Sequence, residues 1–78
     1  MADKSYNGWA NYQTWNVALW IGNDEGLYNM ARDYSSYEDF AQVLKDEFNL
    51  TITGDGVSYT DPTLDHDELD NMLRELNE

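Results

Sequence analysis

The chain has 78 residues and no cysteine, and 16 acidic side chains against 4 basic ones give it a net charge of −12. That length holds one small domain, burying roughly 60% of the surface its unfolded form exposes, and the lack of cysteine excludes a disulfide framework and thiolate metal ligands. The charge repels nucleic acid and anionic membranes and attracts basic partners.

No apolar run approaches the ~20 residues of a membrane span, and the polar start Met1-Ala2-Asp3-Lys4-Ser5 does not resemble a secretory signal. A soluble, cytoplasmic protein is the expectation. Acidic chains are often disordered, but those are poor in aromatics, whereas this one has three Trp, six Tyr and two Phe. It is expected to fold, with residues 1–8 as a flexible arm and 9–78 as a single compact domain.

Trp9 to Asp24 contains all three tryptophans, and the chain is expected to be organised around it. Tyr12, Trp15, Ala18, Leu19 and Gly22 share a face at helical spacing, widened by Val17, Trp20 and Ile21. Asn11 reads as the N-cap of this helix and Gly22-Asn23 as its stop. Asp24 then caps a second helix from Glu25 to about Tyr34, with Leu27, Met30, Ala31 and Tyr34 as its apolar stripe. Gly26 weakens that helix by about 1 kcal/mol relative to alanine, so it depends on packing.

Ser35-Ser36-Tyr37-Glu38 has the S-x-x-E form of a capping box and announces a third helix to about Phe48. Its inward face is expected to be Tyr37, Phe40, Ala41, Leu44 and Phe48, with Val43 beside it. The period then changes to two. Leu50-Thr51-Ile52-Thr53 and Val57-Ser58-Tyr59-Thr60 flank Gly54-Asp55-Gly56, the pattern of a β-hairpin over about residues 50–60 with Leu50, Ile52, Val57 and Tyr59 facing the helices. After Asp61-Pro62, Asp65 caps a last helix with Glu68 at its third position and a Leu64–Leu69 staple, burying Leu69, Met72, Leu73 and Leu76. The predicted fold is small α+β: four short helices and one two-stranded hairpin before the C-terminal helix.

Asn11-Tyr12-x-Thr14-Trp15-Asn16-Val17-x-Leu19-Trp20-Ile21-x-Asn23-Asp24-Glu25-Gly26, with Asp55-Gly56-Val57-Ser58 and Asp61-Pro62-x-Leu64-Asp65 further on, resembles a family of short acidic proteins encoded by bacteriophages and plasmids. The resemblance runs from about Trp9 to Leu76. It implies a mobile-element setting and brings no catalytic residue with it.

An enzymatic reading finds little support. His66 is the only histidine and sits among acids in a helix's first turn, with no nucleophile paired to it in sequence. Gly54-Asp55-Gly56 lacks the lysine and the following helix of a phosphate loop. Asp61, Asp65, Asp67, Glu68 and Asp70 are dense enough to suggest a weak Ca²⁺ or Mg²⁺ site, but an EF-hand needs glycine at position six and glutamate at twelve. Counted from Asp61 those are His66 and Met72, and from Asp65 they are Asp70 and Leu76. No metal and no cofactor are expected, and helix capping explains these acids better.

The acids taken together are the main functional hint. Asp67 with Asp70, and Glu75 with Glu78, stand three apart on one helix, and Asp39 and Asp46 lie two turns apart on another. Duplex DNA also presents regular negative charge, which its binding proteins neutralise with Lys and Arg. The bland alternative is that helices of soluble proteins carry charged outer faces. A net charge this large destabilises a marginal domain by self-repulsion and exceeds ordinary surface decoration. Trp20 shares a mostly polar face with Gln13, Asn16 and Asn23, so it is either core or an exposed anchor, with Tyr6, Trp9 and Tyr12 extending the patch.

The expected function is a non-enzymatic inhibitor that binds a basic, nucleic-acid-handling host protein through Asp39, Asp46, Asp65, Asp67, Glu68, Asp70, Glu75 and Trp20. An anti-CRISPR, antirestriction or transcription inhibitor would fit; direct nucleic-acid or membrane binding would not. A homodimer or other homo-oligomeric module using the Trp-rich helix, and a weak Ca²⁺ or Mg²⁺ binder, are the alternatives.

Overall fold

Among the described residues four helices make up the fold: α1 (Tyr12–Asn23), α2 (Glu25–Ala31), α3 (Tyr37–Phe48) and α4 (His66–Leu76). The computed structural model describes residues 8–76, so the expected N-terminal arm lies outside the described residues apart from Gly8. α1 packs against α2 and α4, and α3 packs against α4.

Each helix begins where a side-chain oxygen meets an N–H that the first turn leaves unpaired. Asn11 Oδ1 accepts from the Thr14 N–H at 2.8 Å, and Asp24 Oδ1 accepts from the Leu27 N–H at 2.9 Å. Asp24 also closes α1, because its own N–H donates to Trp20 O at 3.1 Å. The α1–α2 corner is therefore one residue. α2 stops at Ala31, short of the expected Tyr34, because the Asp33 and Tyr34 N–H groups turn back three residues, to Met30 O and Ala31 O. α3 starts one residue later than the S-x-x-E pattern suggested: Ser36, not Ser35, is the cap, its Oγ accepting from the Asp39 N–H at 3.5 Å.

The core differs from the expected tryptophan-centred one. The fully buried large side chains include Tyr37, Tyr59, Phe40, Ile21, Leu44, Leu69, Leu73 and Val17, while Trp9, Trp15 and Trp20 are half-buried. α1 is rotated relative to the face its aromatics outlined, with Thr14, Asn16, Val17, Ala18 and Ile21 inward and Leu19 and Gly22 exposed. Buried Thr14 and Asn16 are tolerated because both are hydrogen-bonded, as described below.

The expected β-hairpin does not form. Residues 50–60 make a single antiparallel bridge, Ile52 to Ser58, with no strand or sheet among the described residues. The fold is all-α rather than α+β. Two backbone bonds hold the bridge, Thr53 N to Val57 O at 2.8 Å and Tyr59 N to Thr51 O at 3.0 Å. A ladder cannot extend because its next groups are already paired. The Leu50 N–H closes α3 on Leu44 O at 2.9 Å, the Thr60 N–H donates to Ser58 Oγ at 3.1 Å, and Tyr59 O accepts from the Tyr37 hydroxyl at 2.6 Å. The alternation fails too: Thr53 is buried and Ile52 is 52% exposed, the reverse of the expected facing, while Val57 and Tyr59 are buried as expected.

Candidate functional site

The acids expected to face a partner fall into two groups. Three of them hold helices in place. Asp65 Oδ1 accepts from the Glu68 N–H at 3.0 Å and caps α4. Glu68 stands at the expected third position of α4 but does not turn back to Asp65. Its Oε1 accepts from the Ala10 N–H at 2.9 Å, while the Asp65 N–H donates to Thr14 Oγ1 at 2.9 Å. The first turns of α1 and α4 are thus cross-capped, each supplying an oxygen to the segment leading into the other. Asp70 Oδ1 accepts from the Tyr37 N–H at 2.7 Å and so caps α3 from outside that helix. Carboxylates at these helix N-termini also oppose the positive ends of the dipoles.

The other four, Asp39, Asp46, Asp67 and Glu75, are exposed on α3 and α4. Asp46 accepts from Gln42 Nε2 at 2.8 Å, one turn back on the same helix. Glu38 and Glu47 are exposed on α3 as well. Three of the four basic residues, Arg32, Lys45 and Arg74, lie among the described residues, all exposed.

Trp20 takes part in a polar latch between α1 and the 51–60 segment. Asp55 Oδ2 accepts from Asn16 Nδ2 at 2.8 Å and from the Trp20 indole N–H at 3.0 Å. Those two donors hold the Asp55 carboxyl below its ordinary range. The Thr53 hydroxyl donates to Asn16 Oδ1 at 2.7 Å and accepts from the Asp55 and Val57 N–H groups, each at 3.2 Å. The Trp20 ring lies so close over Gly54 that a Cβ there would collide with Trp20 Cζ2 and Cη2. Gly54 is glycine for lack of room.

Two tyrosines stiffen the interior. Burial pushes the Tyr37 hydroxyl far up, and burial with the nearby Asp24 charge pushes Tyr59 up to about 12. Both stay neutral and able to hydrogen-bond at physiological pH. His66, at the start of α4, sets its ring edge-on to Tyr37 with centroids 5.4 Å apart, and is exposed. Asp61 binds the Thr63 N–H at 2.7 Å and the Thr63 hydroxyl, which lower its pKa. Among the described residues no three His, Cys, Asp or Glu side chains are grouped to hold a metal ion.

A groove of about 370 Å³ runs between α2 and the end of α3, lined by Leu27, Met30, Leu44, Phe48 and Leu50 together with Asp24 and Gly26. Phe48 was expected inside but is 60% exposed. Asn49, in the left-handed conformation at φ 54°, ends α3, and its own N–H and that of Leu50 both turn back to Leu44 O. The chain turns away there before anything covers the Phe48 ring.

Residues 2–78 match a family described as "Family of unknown function (DUF7249)". The chain belongs to that family. No curated protein and no solved structure matches it. In this member of DUF7249 no helix among the described residues is long and apolar enough to cross a membrane. Reading the sequence alone missed the Asn16–Thr53–Asp55 latch and the exposure of Phe48. An asparagine inside a largely apolar stretch of α1 signalled the first, and a phenylalanine directly before a helix-stopping asparagine signalled the second.

Proposed function

We propose that this protein is a non-enzymatic acidic binder, of phage or mobile-element type, that engages a basic nucleic-acid-handling host protein in the cytoplasm and blocks it. The observation that carries this reading is the division among the acids. Asp65, Glu68 and Asp70 are occupied in holding helices, whereas Asp39, Asp46, Asp67 and Glu75 stand exposed on two helices of one chain with net charge −12. Asp39 and Asp46 are seven residues apart on α3, a rise of about 10 Å, or roughly three steps along one DNA strand. Rigid helices hold such charges at fixed separations, which suits a groove lined with Lys and Arg. Attraction of this kind gives fast, salt-sensitive association.

The partner surface within this proposal is Asp39, Asp46, Asp67 and Glu75, and the three capping acids keep their helices where the surface needs them. The test is capture from bacterial lysate at low salt with mass spectrometry. The wild-type chain is compared with one carrying Asp39→Asn, Asp46→Asn, Asp67→Asn and Glu75→Gln. The proposal expects wild type to enrich basic nucleic-acid enzymes and the variant to lose them. Enrichment of neutral or acidic proteins, or equal capture by both chains, would overturn it.

A further inference from the structure

We propose that the groove between α2 and α3 is a docking site for the apolar face of a basic amphipathic helix on the partner. This rests on the reading of a basic partner and adds the contact that grips it after charge has drawn it in. Phe48 is the most exposed large apolar side chain among the described residues, and it stands over a groove otherwise walled by Leu27, Met30, Leu44 and Leu50. Gly26 contributes no side chain to this wall, and a Cβ there would meet only Asp24 Oδ1. The space remains open to large side chains. A helix lying between two helices offers residues at i, i+3 or i+4, and i+7, the spacing that fills such a groove.

Charge selects the occupant. Asp24 lines the groove while its Oδ1 accepts from the Leu27 N–H, and the exposed Glu47 and Lys45 adjoin Phe48 and Leu44 in the α3 sequence. The C-terminal end of α3 and the N-terminal end of α2 both line the groove, so their dipoles oppose each other and the carboxylates and net charge set its sign. A second copy of the chain would bring another −12 of charge to the same face. A cationic helix meets attraction at the rim and apolar surface at the floor.

The probe is a synthetic leucine–lysine peptide of about 18 residues, long enough to form a helix when bound. It is patterned with leucines along one face and compared with a scrambled peptide of the same composition. Calorimetry at low salt is expected to show the patterned peptide binding at least about tenfold more tightly than the scrambled one. Phe48→Ala, at an exposed position, should remove that preference without lowering the melting temperature. Glu47→Lys should weaken the patterned peptide at low salt. Equal binding of the two peptides, a preference that survives Phe48→Ala, or indifference to Glu47→Lys would each overturn the inference. So would a dimer on a sizing column that Phe48→Ala dissolves, since the occupant would then be a second copy. The Phe48 comparison reports on the groove alone and lysate capture by the four-acid variant on the acidic surface alone, so either can fail without the other.

Discussion

Thr53→Val tests whether the 51–60 segment is held by a buried hydroxyl rather than by strand pairing. Valine matches threonine closely in shape, so the change removes one oxygen from a site that is 3% exposed. That oxygen serves Asn16 Oδ1, the Val57 N–H and the Asp55 N–H. Asn16 Oδ1 and the Val57 N–H lie in buried surroundings and lose their partner, at about 1–3 kcal/mol each. The Asp55 N–H is nearer solvent and can be hydrated. The loss should total about 3 kcal/mol, against the roughly 4–12 kcal/mol expected for a domain of this length. In thermal terms that is a fall of about 12–24 °C. Urea unfolding followed by tryptophan fluorescence measures it, with Thr53→Ser as the control that keeps the hydroxyl and gives up about 1 kcal/mol for the methyl. A Thr53→Val loss no larger than that of Thr53→Ser would refute the latch.

Gly54→Ala should destabilise by about 1–3 kcal/mol, because the new methyl displaces the Trp20 ring; the near-ultraviolet circular dichroism of the tryptophans should change with it. Among the acids, Asp65→Ala and Asp70→Ala should each lower stability by about 1 kcal/mol in a thermal melt, as lost helix caps do. Asp67→Ala should stay within about 0.5 kcal/mol. The Asp55 carboxyl lies below its ordinary value of 3.8 in the folded protein, held there by Asn16 and Trp20. Its contribution is therefore complete above that value and is lost as pH falls through the lower, folded one. Urea midpoints at successive pH values should show wild type more stable than Asp55→Asn at neutral pH, with the gap closing only below about pH 4.

Much of the fold was legible in residues whose behaviour is decided by near neighbours. Asn11, Asp24 and Asp65 cap the helices they were expected to cap, since a cap needs an oxygen and an N–H two or three residues on. The α3 core face of Tyr37, Phe40, Ala41 and Leu44 follows helical spacing. What failed depended on partners far along the chain. The hairpin pattern was sound locally, yet the Leu50 N–H and Tyr59 O were claimed by α3, and Thr53 turned inward to reach Asn16, 37 residues away. Ser36 displaced Ser35 as the α3 cap, with distant Asp70 taking the Tyr37 N–H, and Glu68 reached Ala10 instead of its own helix. Asp65 was separable by its local cap, whereas only distant partners, Ala10 and Tyr37, separate Glu68 and Asp70 from the acids that face solvent.

The proposed binding of the exposed carboxylates to a basic host protein is a competition with nucleic acid for the same surface. The direct measurement is release of the captured basic protein by duplex DNA, titrated at constant low salt. Graded release is expected as duplex is added, with a neutral polymer at equal mass having no effect. A captured protein that holds both this chain and the duplex at once would contradict it.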